Sequence, residues 1–204
     1  MKILLASTNG GKIERFKKLL ETVDPAIEVL GPSDFQIEDI EVEETADTLL
    51  GNAELKVQAY AGKVDVPILG NDTGFYVEGE GFIETPKRTA LGEHNEKDLT
   101  KEEISEKVLN FWRSIATKHG GKVDAAWIEV FVVLYPDGKM VSAESKREII
   151  LTDQIFGEPH PQMPIRSLYF SKTTNKPSIL HTKEEELLEL EPVTGALRKV
   201  LMVG

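Results

Sequence analysis

Apolar residues in this chain come in short runs and in stripes of helical period, and the two alternate from the N-terminus onward. Ile3, Leu4 and Leu5 predict a buried strand over Met1–Ser7. Thr8-Asn9-Gly10-Gly11 reads as a turn. From Lys12 to about Glu21, Ile13, Phe16, Leu19 and Leu20 recur on one helical face. Ile27–Leu30 predicts a second strand. Residues 45–61 predict a helix with Leu49, Ala53, Val57 and Tyr60 toward a core and Thr48, Asn52 and Lys56 at steps of four on its polar stripe. Gly62 stops it. Ile68-Leu69 and Phe75–Val77 read as two short strands. Asn71-Asp72-Thr73-Gly74 reads as a turn between them, because Asn, Asp and Gly favour turns. Glu78-Gly79-Glu80-Gly81 is a further turn, and residues 84–99 read as irregular.

In the second half, Thr100 and Glu103 form a capping box for a helix to about Lys118, with Ile104, Val108, Phe111, Trp112 and Ile115 as its apolar side. Gly120-Gly121 ends it. Residues 124–134 and 139–151 flank Pro136-Asp137-Gly138, the pattern of a β-hairpin. Residues 157–164 read as a proline loop and 167–170 as a short strand. Thr182 and Glu185 open an acidic helix that Pro192 ends, and Val193–Met202 form a last short helix. Strand–helix alternation followed by a long antiparallel hairpin predicts an α/β protein with a mixed sheet. No linker divides the 204 residues, so one domain is expected, with the region about 84–170 as its second lobe.

Composition narrows the function classes. No run of about 18 apolar residues occurs, so no membrane-crossing helix is expected. The apolar stretch at the N-terminus is too short for a signal peptide. The absence of cysteine excludes disulfides, thiolate catalysis and zinc–cysteine sites, and makes a cytoplasmic location the default. A net charge of −11 with no basic cluster argues against a nucleic-acid partner. A polyanionic small molecule stays open, because a few local cations and a metal can outweigh the global field. Four scattered histidines without H-x-x-x-H spacing give no histidine metal site.

Candidate chemistry concentrates in the first half. Ser7-Thr8-Asn9-Gly10-Gly11-Lys12 joins a strand to a helix, where loop amides and the helix N-terminus face an anion. It departs from a Walker A loop, which needs glycine at Ala6 and Ser or Thr at Ile13. As an ordinary turn it would leave Lys12 solvated. A lysine opening a helix opposes the macrodipole and so asks for another reason to be there. Glu41, Glu43 and Glu44 precede a helix, either as a solvated acidic face or as donors to a cation. Asn52 and Lys56 read alone as surface residues, as does Arg88 in a loop, which could otherwise contact a triphosphate. Asp72, at a strand end, is placed to ligate a metal or to take a proton from water. Trp112 and Trp127 read as core.

In combination these residues resemble the inosine triphosphate pyrophosphatase family. Its T-x-N-x-x-K loop is matched by Ser7-x-Asn9-x-x-Lys12. Its Glu-Thr before a helix carrying E-N-A-x-x-K is matched by Glu44-Thr45 and Asn52-Ala53-Glu54-Leu55-Lys56, with Gly51 in place of the helix glutamate. Its Asp-Asp-Ser-Gly turn is matched by Asn71-Asp72-Thr73-Gly74. The resemblance covers about the first 90 residues, in order and spacing. It implies a long mixed β-sheet with flanking helices and two lobes around a central cleft, a homodimer, and magnesium-dependent hydrolysis of a nucleoside triphosphate to monophosphate and pyrophosphate. It further implies Glu44 and Asp72 as metal ligands, with Asp72, Glu44 and Lys56 catalytic. Ser7, Thr8, Asn9, Lys12, Asn52, Thr73, Gly74 and Arg88 would bind substrate.

The second half departs from that pattern. The family's G-F-G-Y-D-P-x-F segment, which frames the purine, corresponds to Met163–Phe170, where only the last aromatic survives. The closing Ser-His-Arg corresponds to Glu191-Pro192-Val193, and an upstream lysine to Glu186. Base reading depends on specific donors and acceptors, so an altered base preference follows, with Arg166 or Arg198 as candidate replacements. Two other readings remain open. One is a nucleotide-binding or regulatory protein of this fold without catalysis. The other is a related pyrophosphatase for modified pyrimidine or other nucleotides.

Overall fold

The computed structural model describes residues 1–38, 40–83, 85–160 and 163–202. The first elements are β1 (Lys2–Leu5), α1 (Gly10–Val23), β2 (Glu28–Leu30), α2 (Leu49–Ala59), β3 (Ile68–Val77) and β4 (Gly81–Ile83). Then follow α3 (Pro86–Leu91), α4 (Lys101–Lys118), β5 (Lys122–Leu134), β6 (Met140–Thr152), β7 (Tyr169–Ser171), β8 (Lys176–Pro177) and α5 (Lys183–Leu201). The strands form one mixed sheet in the order β2-β1-β3-β5-β6-β7-β8, with β4 pairing β3. β1 runs parallel to β2 and β3, while β4, β7 and β8 pair antiparallel.

The chain forms two compact units: residues 1–73, 129–145 and 192–204, and residues 74–128 and 146–191. In the first, Ile3, Leu4 and Leu5 of β1, Phe16 and Leu20 of α1, Val57 of α2 and Leu69 of β3 are buried. In the second, Trp112 of α4 lies edge-on to Phe75 at 5.0 Å, and Trp127 lies 4.4 Å from the same ring. Val108, Ile149, Leu151, Ile165, Leu168 and Tyr169 complete that core.

Local rules account for most boundaries. Thr100 and Glu103 exchange the two hydrogen bonds of the capping box, at 3.2 and 2.8 Å, and α4 ends at Lys118 as its pattern predicts. Tyr135 and Lys139 close the hairpin turn at 2.9 Å. The second helix starts at Leu49 rather than 45, because the Thr48 hydroxyl caps it by accepting from Gly51 N at 3.1 Å.

Three expectations are corrected. Asn71–Gly74 is no turn: it is the middle of one ten-residue strand, β3. The Asn71 amide donates to Val130 O at 3.1 Å, so a tertiary hydrogen bond overrides the local turn preference. The absence of a side chain at Gly74 lets the exposed Phe82 ring of β4 lie over the strand, since a Cβ there would come within 2.1 Å of the ring tip. Residues 86–91 and 96–98 are helical rather than irregular, with Pro86 at the start of α3 where its missing N–H costs nothing. Residue 84 lies outside the described residues. Pro192 does not end the acidic helix: α5 continues through it to Leu201. Of the expected proline loop over 157–164, residues 161 and 162 lie outside the described residues.

Candidate active site

Three elements of the first unit carry the polar groups singled out above. Asn9 caps α1, its Oδ1 accepting from Lys12 N at 3.1 Å, so the helix opens at Gly10 and Lys12 falls in its first turn. The Ser7 hydroxyl accepts from Asn9 N at 3.3 Å, and Thr8 is exposed on the same loop. From that turn the Lys12 Nζ donates to the Asn71 carbonyl at 3.0 Å.

β3 carries Asn71, Asp72 and Thr73. The first two are buried, with their positions set by the strand rather than by a loop. Lys56 reaches them from α2: its Nζ donates to Asp72 Oδ1 at 2.7 Å and to Asn71 O at 3.4 Å. Glu44 joins the same ammonium, Oε1 lying 3.0 Å from it. Asn52 explains how a residue outside the helix arrives there. Its Oδ1 accepts from Ala46 N at 3.0 Å and folds the segment carrying Glu44 back onto α2. Gly51 makes room, since a Cβ would meet the Ala46 Cβ at 2.6 Å. The glycine that stands where the family motif has glutamate is therefore a packing requirement of this chain.

The result is two ammonium groups on one carbonyl and two carboxylates on one of those ammoniums. The Glu44 side chain is 43% exposed, while those of Lys56 and Asp72 are each 11% exposed, so the cluster has a wet acidic rim over a dry centre. Burial, and then the neighbouring Lys56 charge, push Lys12 down from an ordinary 10.5 to about 8, with Asp72 opposing them. Such a lysine gains from an anion placed against it. Among the described residues, no group of three or more His, Cys, Asp or Glu side chains is arranged to hold a metal ion.

Two residues that pattern reasoning passed over belong here. Arg15, one turn beyond Lys12, binds Glu129 of β5 at 2.8 Å, and Glu129 is 1% exposed. The signal was available: an acid inside the apolar run of β5 is costly unless paired.

The remaining sequence candidates, Arg198 apart, lie in the second unit. Gly74 packs under Phe82, and Arg88 is exposed on α3, donating to His94 O at 2.8 Å. Pro164–Leu168 is a short 3₁₀ helix. In it, Arg166 binds Glu186 at 2.8 Å and donates to Ser178 O at 3.2 Å, so the arginine and the acid standing at the family's lysine position pair with each other. Arg198 is exposed on the part of α5 that belongs to the first unit. No helix among the described residues is long and apolar enough to cross a membrane.

Known proteins resemble this arrangement of elements. A protein from Aquifex aeolicus named dITP/XTP pyrophosphatase is 45% identical over 78 residues, 38% of this chain and 36% of that protein. One of the same name from Staphylococcus epidermidis is 33% identical over 102 residues, 48% of this chain and 50% of the relative. The chain thus spans half or less of the length of these relatives. The solved Ham1 protein of Staphylococcus aureus superimposes with a TM-score of 0.68 at 24% identity, over 97% of this chain and 98% of that one. A nucleoside-triphosphatase / dITP/XTP pyrophosphatase structure from Mycobacterium abscessus gives 0.69 at 19% identity, over 98% and 99%. At these identities the structures establish a shared fold. The model of the Ham1 family matches residues 3–150, nearly three quarters of the sequence, and the chain belongs to that family.

Proposed function

We propose that this protein is a magnesium-dependent nucleoside triphosphate pyrophosphatase that converts non-canonical nucleoside triphosphates to monophosphate and pyrophosphate with an altered base preference. The observation that carries the reading is the convergence of Lys12 and Lys56 on the Asn71 carbonyl and of Glu44 and Asp72 on the Lys56 ammonium. The names of the Aquifex and Staphylococcus relatives support the same reaction class.

The donor set fits magnesium. That ion is usually held by one or two carboxylates while phosphates and water complete its shell, and Glu44 and Asp72 meet at a single ammonium, so both reach one place. When bound, it supplies charge neutralisation on the phosphoryl oxygens. The chain's own groups do the rest. Lys12 and the helix start behind it hold the terminal phosphates, and Lys56 offsets charge that builds as the bond breaks. Water adds to the α-phosphorus, the bond to the bridging oxygen breaks, pyrophosphate leaves, and the Asp72 carboxylate takes the proton from water. Asn52 acts indirectly, by holding Glu44 in place.

Base preference is the part least like the family pattern, since Arg166 is engaged by Glu186. The test is a panel of nucleoside triphosphates with magnesium, scoring pyrophosphate against orthophosphate. Expected are pyrophosphate release, its loss on Asp72→Asn, and weak discrimination between inosine or xanthosine triphosphate and ATP or GTP. Strong, equal preference for the first two would contradict the altered preference, and Arg166→Ala is expected to change the ranking without abolishing turnover. A second reading, nucleotide binding without hydrolysis, has one observation in its favour: Lys56 already neutralises both carboxylates. Triphosphate binding with no pyrophosphate formed would select it. The homodimer belongs to the same reading, and light scattering on the purified protein tests it.

A further inference from the structure

We propose that Glu129 is a positioning residue of the phosphate-binding half: through Arg15 it holds the first turn of α1 so that the Lys12 ammonium stays against the Asn71 carbonyl. The inference rests on Lys12 being a phosphate-binding cation. A carboxylate in the interior of an apolar strand is kept only with a partner, and Glu129, 1% exposed, has Arg15 Nη2 at 2.8 Å. Arg15 follows Lys12 by three residues, on the same face of α1. The next residue, Phe16, packs edge-on against Phe131 with ring centroids 6.1 Å apart. Phe131 is two residues beyond Glu129, on the same side of β5. Two adjacent contacts therefore seat the start of α1 on β5. β5 in turn grips β3, Val130 O accepting from the Asn71 amide at 3.1 Å. The contacts close a ring: Lys12 to Asn71, Asn71 to Val130, then Glu129 to Arg15, and back along one helical turn to Lys12.

An apolar pair would fasten helix to strand as well as an ion pair does. What the ion pair adds is fixed charge beside Lys12, which also faces Lys56 from α2 and Asp72 from β3. Arg15 opposes the charge on Lys12 and Glu129 supports it. Loss of Glu129 thus leaves a loosened helix start and an uncompensated cation next to the phosphate-binding one.

The test measures the dissociation constant of inorganic tripolyphosphate with magnesium across pH, together with thermal melting. The variants are Glu129→Gln, the double Arg15→Met/Glu129→Leu, and Lys12→Ala. Glu129→Gln is expected to weaken binding about tenfold. The double is expected to regain the wild-type melting temperature and, with it, wild-type binding, because an apolar pair reseats α1 and removes one charge of each sign beside Lys12. In Glu129→Gln, the pH above which binding fades is expected to move downward. A double that melts like the wild type yet still binds weakly would overturn the proposal, since the seating of α1 would then not be what binding needs. So would wild-type binding in Glu129→Gln when Lys12→Ala binds weakly. Wild-type binding in Lys12→Ala would instead overturn the phosphate-site reading beneath it.

Discussion

Lys12 and Lys56 meet on one carbonyl oxygen, and burial together with that repulsion sets the behaviour of Lys12. With its proton affinity pushed down to about 8, Lys12 is largely charged at neutral pH and loses its charge as pH rises through that value. An anion against it favours the charged form, so binding draws in a proton in the window above about 8 and below the ordinary lysine value. Calorimetry of a non-hydrolysable nucleoside triphosphate near pH 9, in buffers of different ionisation heat, is expected to show proton uptake approaching about one per site. Lys12→Arg removes that uptake, because a guanidinium stays protonated there. Uptake that persists in Lys12→Arg would assign the proton to another group. Lys56 makes a different prediction. Its contact with Asp72 is largely dry on both sides, so Lys56→Met strands a buried carboxylate and is expected to cost about 3 kcal/mol of stability by urea denaturation. A loss under about 1 kcal/mol would mean that water reaches Asp72 freely.

At the scale of elements, β3 does what two short strands and a turn could not. A continuous strand fixes Asn71 and Asp72 by ladder geometry, and α2 must then come close enough for Lys56 to reach them. Gly70 permits the approach: a Cβ there would lie 2.5 Å from the Ala53 carbonyl and 2.7 Å from Val57. Backbone cannot swing aside, so Gly70→Ala is expected to push α2 away, costing about 2 kcal/mol and weakening triphosphate binding together. Unchanged melting and binding would show that α2 tolerates the shift. Pro192 predicts the opposite sign. It breaks one hydrogen bond inside α5 where the helix passes from the second unit to the first, so Pro192→Ala is expected to stabilise by about 1 kcal/mol or more. These two positions also mark what the sequence could and could not reveal. Capping boxes, the hairpin turn and the helical stripes are local, and Thr100, Pro136–Gly138 and Trp112 behave as their neighbours dictate. Asn71–Gly74 and Pro192 carry strong local signals that distant partners override: Val130 and Phe82 for the former, and for the latter packing of the buried Val193, Leu197 and Val200. The Glu44, Lys56 and Asp72 cluster was legible because its spacing repeats a family motif. The Arg15–Glu129 pair joins residues 114 apart, and spacing carries no trace of it.

Over the whole molecule, a net charge of −11 surrounds a site that we read as binding a polyanion, and the two scales of electrostatics pull in opposite directions. The long-range field repels a nucleoside triphosphate, while Lys12 and Lys56 attract it only at close quarters. Salt separates them. At about 0.15 M the screening length is about 8 Å, so the diffuse repulsion is damped. The buried ammonium pair keeps most of its effect, because little solvent lies between it and a bound phosphate. The net result differs from that of an enzyme with a basic face, whose association slows steeply as salt rises. Here kcat/KM, measured at saturating magnesium, is expected to hold level or rise by up to about threefold between about 20 and 150 mM sodium chloride. A fall of tenfold or more would mean that a positive local field reaches well beyond the two lysines. The same salt response should persist in Glu129→Gln if that variant's weakness lies in a misplaced Lys12 rather than in encounter, since its surface field is almost unchanged. Its kcat/KM should stay below that of the wild type by a constant factor at every salt concentration.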